Sequence, residues 1–160
     1  MAFRIRGGEP ADWLVYREIR LRMLAETPDA YGSSYAFEVD LPESRWRERV
    51  THPLLFLAVD HNEEVVGTAT GLVGPSGTTE VVAMYVAPEV RGQGCAGQLL
   101  DAVAAAARES GAHRLALRVT AGNGPATRCY TRYGFSPTGR SWPMERQPGL
   151  TEVELALALD

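Results

Sequence analysis

Three glycines within seven residues, Arg91-Gly92-Gln93-Gly94-Cys95-Ala96-Gly97, stand just ahead of an apolar-periodic run. Glycines before a helix let its unsatisfied backbone N–H groups approach a ligand closely, beside the positive end of the helix dipole. That arrangement holds a pyrophosphate without side chains. Two ligand classes suit it, because Gly92-x-Gly94-x-x-Gly97 also meets the dinucleotide pattern G-x-G-x-x-G. A dinucleotide fold places that pattern after its first strand, with an acid about 20 residues further on. Here several strands are expected first, and no Asp or Glu occurs between Ser110 and Met144. An NADP-binding reductase with Arg118 on the 2′-phosphate is therefore the weaker alternative. Arg114, Arg118, Arg128, Arg132 and Arg140 make the same stretch basic, suited to a phosphate or simply a solvated face. Cys95 opens the helix, where a thiolate is favoured, but the sequence sets no His or acid near it. Cys129 reads as helix packing. His52, His61 and His113 stand alone, so no metal is expected.

The elements that must position this loop follow from periodicity. Residues 3–6 alternate as a short strand ended by Gly7-Gly8, and Pro10 suits the first turn of a helix over 11–26. In that helix Trp13, Leu14, Tyr16, Ile19, Met23 and Leu24 form the apolar stripe, with Arg17, Arg20 and Arg22 off it. An aromatic loop with Tyr31, Tyr35 and Phe37 precedes a second helix over 42–50. Strands over 54–59, 65–73 and 78–87 form an antiparallel meander, turned at 61–63 and at Gly74-Pro75-Ser76-Gly77. The glycine loop leads into a helix with Leu99, Leu100, Val103, Ala106 and Ala107 on one face and Gly111 at its end. Joined through that helix, the strand over 114–119 is expected to run parallel to the one before it. A short helix over 125–133 closes at Gly134, and the alternation of Val153, Leu155, Leu157 and Leu159 ends the chain in a strand. The fold class is therefore α+β: a mixed, mainly antiparallel sheet with one parallel crossover and helices on its faces.

The chain of 160 residues is read as one domain, 1–160. With 45% hydrophobic and 22% charged residues it should fold as an ordinary globular protein. All sixteen basic side chains are Arg. With no Lys, Schiff-base chemistry and a Walker A loop are excluded. A net charge of −4 argues against nucleic acid or an anionic membrane as main partner. Two well-separated cysteines, no signal-peptide pattern and no bilayer-length apolar run lead to a cytoplasmic expectation.

The run from Val86 to Ala96, with Arg91, Gly94 and Ala96 in the places of Gln/Arg-x-x-Gly-x-Gly/Ala after a strand and a proline, resembles the signature of the GNAT superfamily of acyl-CoA-dependent N-acetyltransferases. Asn123 ahead of a helix that carries Tyr130 and closes in Gly134-Phe135 resembles that superfamily's second motif, in the right order and spacing. The resemblance implies a three-layer sheet of six to seven strands with helices on both faces, with acetyl-CoA between splayed parallel strands. It implies pyrophosphate on residues 91–97, pantetheine along Met84, Tyr85 and Val86, and direct transfer to a primary amine of a small molecule or peptide. Glu80 is then the candidate base, against a solvent-facing strand residue or a water chain doing that work. Tyr130 is the candidate acid at the departing sulfur. Asn123 either bonds the pantetheine arm or caps its helix. Tyr31, Tyr35, Phe37 and Trp142 line an acceptor pocket or pack the core. An acidic chain with aromatic loops leans toward small cationic amines. A homodimer through the late strands is a further implication, and a CoA-binding module without catalysis is the second function class.

Overall fold

A computed structural model of the chain describes residues 3–28, 33–145 and 147–160. Seven strands form one sheet in the order β1-β2-β3-β4-β5-β7-β6. They are β1 (Arg4–Gly7), β2 (Leu55–Val59), β3 (Val65–Val73), β4 (Thr78–Val86), β5 (Arg114–Thr120), β6 (Ser136–Pro143) and β7 (Thr151–Ala158). The helices are α1 (Trp13–Glu26), α2 (Tyr35–Glu38), α3 (Glu43–Val50), α4 (Cys95–Glu109) and α5 (Gly124–Tyr133). All pairings are antiparallel except β4 with β5, the two strands joined through α4. The mixed α+β sheet inferred from the sequence is thus the fold observed. Among the described residues no helix is long and apolar enough to cross a membrane.

The core forms where apolar faces meet the sheet. Leu99, Leu100, Val103 and Ala107 of α4 are buried against β2 to β4. Close packing there would crowd any Cβ at two points of β3. A Cβ on Gly67 would stand 3.2 Å from Cys95 Sγ, and one on Gly71 would stand 3.1 Å from Val103. On the opposite face Tyr16 of α1 and Trp46 of α3 meet edge to face at 6.1 Å.

Three local readings need correction. Residues 136–143, to which the sequence assigned no element, are a strand; only Trp142 in it is shielded from full exposure, so it shows no burial alternation, and Pro137 and Pro143 are tolerated because it is the sheet's edge. The aromatic loop contains α2, one turn started by Ser34, whose hydroxyl accepts from the Phe37 N–H at 3.2 Å. In α1, Leu14 is 48% exposed while Leu21 is buried, and Arg20 turns inward. The cause is Glu38: buried in α2, it accepts from Arg20 at 2.9 and 2.8 Å and from Arg49 of α3 at 2.7 Å. Burial alone would raise its pKa; the Arg20 hydrogen bond and charge, with help from Ser33 and Arg49, outweigh this and hold it at about 2.

Candidate active-site cleft

The cleft begins with a bulge. Thr68 of β3 pairs with Tyr85 but Thr70 pairs with Val82, so Ala83 and Met84 together face one residue, and Ala83 takes φ +53°. Pairing of β4 with β5 covers only Thr78 to Glu80 against Arg114 to Ala116. Beyond Glu80 the two parallel strands diverge and leave a cavity of about 1120 Å³. Glu80 is the last paired residue and therefore sits at the apex of the V.

At the open end, Gly92 and Gly94 adopt φ +79° and +88°, which side-chain-bearing residues rarely do. Gly94 is the N-cap of α4 and no side chain caps that end, which leaves the first amides of α4 facing the cleft. Gly97 differs: it lies inside the helix, and a Cβ there would meet nothing within 4 Å among the described residues. Neither backbone angle nor packing demands a glycine in a helix interior, where it costs about 0.5–1 kcal/mol. A bare wall facing the cleft is what a ligand lying against the helix would require.

The loop is anchored from α1. Arg22 makes a two-pronged pair with Glu89 at 3.0 and 2.7 Å in the turn before the loop, and lies 3.2 Å from Glu26. Glu26 in turn accepts from the Tyr85 hydroxyl, while Arg91 donates to the Val86 carbonyl at 2.9 Å and lies 5.7 Å over the Tyr85 ring. On the far wall, α5 is tied to α4 by Tyr133, whose hydroxyl donates to Asp101 at 2.6 Å. Tyr130 of α5 faces the cleft and meets Phe135 edge to face at 5.9 Å.

The structure brings Glu80, Met84, Tyr85, Val86, Arg91, Gly92, Gly94, Cys95, Ala96, Gly97, Asn123 and Tyr130 to this one cavity. Gln93 is not on its wall. Asn123 both lines it and caps α5, its Oδ1 accepting from the Ala126 N–H at 3.3 Å. Cys95 is 2% exposed and burial pushes its thiol up to about 11, so a nucleophilic thiolate is not available. Cys129, half-buried on α5, also lines the cavity. Of the acceptor candidates, Tyr35 and Phe37 of α2 are 45% and 52% exposed and are not among the residues lining the cavity. Trp142 lines an adjoining hollow, and Tyr31 lies outside the described residues.

The basic stretch does not make one phosphate patch. Arg114 and Arg140 pair with Glu154, and Arg118 lies near Glu80 and Glu152; only Arg132 of these five reaches the cavity wall from α5, while Arg118 reaches it from β5. Sequence reasoning missed Glu152 and the place of Arg118. Their signal was the alternation of the last strand, which fixes faces only once its partner is known.

This geometry agrees with comparisons to known proteins. The acetyltransferase (GNAT) family matches residues 19–135. An uncharacterised N-acetyltransferase of Mycobacterium tuberculosis is 32% identical over 103 residues, 64% of this chain and 66%, just under two thirds, of the relative. An acetyltransferase of the GNAT family from Streptococcus pneumoniae superposes with a TM-score of 0.83 at 18% identity, over 99% of this chain and 100% of that one. A structure from Salmonella typhimurium, solved with its cofactor acetyl-CoA, superposes at 0.78 with 22% identity over 100% and 95%. The two structural likenesses establish the fold. The family match, over most of the chain, establishes more: this protein belongs to the GNAT family of acetyltransferases.

Proposed function

We propose that the protein moves an acetyl group from acetyl-CoA to a primary amine by direct attack in a ternary complex. The observation that carries this reading is the cleft itself, in which parallel strands part just beyond a carboxylate and open toward uncapped helix amides and an unobstructed Gly97. Acetyl-CoA supplies the activated thioester. The amides of residues 92–97 would hold its pyrophosphate, the backbone of Met84 to Val86, on the edge of β4 that β5 leaves unpaired, its pantetheine arm, and Arg132 or Arg91 its phosphate.

The chain's own groups have two proton problems to solve. An alkyl ammonium of pKa ~10.4 is neutral in only on the order of one molecule in a thousand at pH 7, so the acceptor must lose a proton before it attacks. Glu80, at the apex, takes that proton directly or through water. The departing thiolate needs one, and the Tyr130 hydroxyl on the cleft wall gives it. Backbone N–H groups beside the Ala83 bulge would supply the donors that the developing oxyanion needs.

The test is thiol release from acetyl-CoA over a panel of amines, with Glu80→Gln alongside. Amine-dependent release that falls at least 100-fold in kcat in the variant, with acetyl-CoA affinity unchanged, supports the reading. Acetyl-CoA binding without release for any amine marks a CoA-binding module instead, and an unchanged kcat in Glu80→Gln removes Glu80 as base.

A further inference from the structure

Beside the cleft, a hollow of about 410 Å³ opens on the sheet face formed by β4, β5, β7 and β6. It shares Glu80 and Arg118 with the cleft, so the two spaces meet at the apex. Strand pairing assembles the hollow from distant sequence: Glu80 lies beside Ala116, Arg118 beside Glu154, and Trp142 beside Glu152.

The charges on its wall are not equivalent. Glu154 is buried and fully engaged, accepting from Thr138 at 2.8 Å and Arg114 at 3.2 Å, with Arg140 at 3.7 Å. Arg118 has its nearest carboxylates, Glu80 and Glu152, at 3.6 and 3.7 Å, beyond hydrogen-bond reach. Its guanidinium is held instead on the Trp142 ring, 3.8 Å from the centroid, with Arg140 4.9 Å from the same ring. Three arginines and two glutamates line the hollow, and Glu152 stands 3.7 Å from Arg118 just outside its wall, so the opposite charges balance there. A guanidinium fixed in orientation by an aromatic ring, with N–H groups not taken up by a carboxylate, matches the two-pronged geometry of an incoming carboxylate. At the rim, Leu72 and Val73 are 41% and 68% exposed and give an apolar surface.

We propose that this hollow seats the acceptor, and that the acceptor is a zwitterion of the amino-acid type with an apolar side chain. Its carboxylate lies on Arg118 and Arg140, its amine at Glu80, and its side chain against Leu72 and Val73. This rests on the acetyltransferase reading and departs from the cationic acceptor expected from net charge, because a hollow in which guanidiniums and carboxylates balance has no excess negative charge to draw a polyamine and offers both signs to a zwitterion. The charge of the whole chain says little about a pocket this size.

The test is thiol release from acetyl-CoA with matched acceptors: leucine and leucinamide, a dipeptide with free or amidated C-terminus, and spermidine. Thermal unfolding with acetyl-CoA is recorded on the same preparations. We expect each free acid to exceed its amide at least 10-fold in kcat/KM, and the preference to shrink below about 3-fold in Arg118→Gln and in Arg140→Gln. Arg140 is the more exposed of the two, so its variant reports even if Arg118→Gln folds poorly. Amides or spermidine used better than the free acids, a preference that survives both variants, or no turnover of any free acid by protein that acetyl-CoA stabilises would overturn the inference. A Tm that acetyl-CoA leaves unmoved strikes the acetyltransferase reading beneath it.

Discussion

The two ends of the cleft are built from different materials. The mouth, residues 91–97, is backbone: positive-φ glycines, an uncapped helix end and a bare Gly97. The apex and the hollow beside it are side chains: Glu80, Arg118 and Trp142, with Glu152 on the cleft side, come from four strands, and Arg118 stacks on the Trp142 ring with the two carboxylates 3.6 and 3.7 Å away. A backbone site serves a ligand part that never changes, and a side-chain site can be retuned without moving the chain. Substitutions at the two ends should therefore fail in different ways.

The largest separation is expected at the cleft wall. Tyr130→Phe should lower kcat by about 10²–10⁴-fold, the usual worth of a positioned acid, with acetyl-CoA affinity unchanged. An equal loss of affinity would show that Tyr130 only shapes the wall. Gly97→Leu should do the reverse, weakening acetyl-CoA binding about 100-fold by calorimetry, ~2.7 kcal/mol, while leaving Tm unchanged or raised, because a residue without helical penalty replaces glycine. Retained affinity would mean that no ligand lies against α4 at that point.

A third outcome concerns neither end. Glu38 has its pKa lowered in the folded chain, from an ordinary 4.5 to about 2. Its pairing with Arg20 and Arg49 therefore stabilises fully above pH ~4.5 and is lost as pH falls toward 2. Denaturant titration should show a decline over that window, of the order of 3 kcal/mol, that is much reduced in Glu38→Gln, itself less stable at pH 7. The smallest effect belongs to the surface pair of Arg4 and Glu63, 2.6 Å apart but with both side chains more than half exposed. Arg4→Ala should cost under ~0.5 kcal/mol, and a larger loss would show that β1 depends on it.

The same contrast explains what the sequence disclosed. The glycine loop, α4, Asn123 and Tyr130 were legible as parts of one cavity wall because each lies in a short continuous stretch whose spacing is set within one element. The bulge at Ala83 was not, since nothing in Val82-Ala83-Met84 marks a residue for positive φ; the strain is imposed by β3. The edge strand β6 was hidden because it has no buried face to create a period, and the buried Glu38 because its two partners lie 18 and 11 residues away. Arg118 and Glu152 were visible as residues, but their meeting depends on the register of β5 with β7.

The central claim, that the divergence of β4 and β5 is a binding cleft for acetyl-CoA, is tested most directly by thermal unfolding with and without that ligand, with NADP as control. At about 100 times Kd, a ligand that binds only the folded chain adds ~2.7 kcal/mol, which for this length corresponds to a rise of about 5–10 °C in Tm. The account predicts that rise with acetyl-CoA and none with NADP. An unmoved Tm with acetyl-CoA, or a rise with NADP alone, would contradict it.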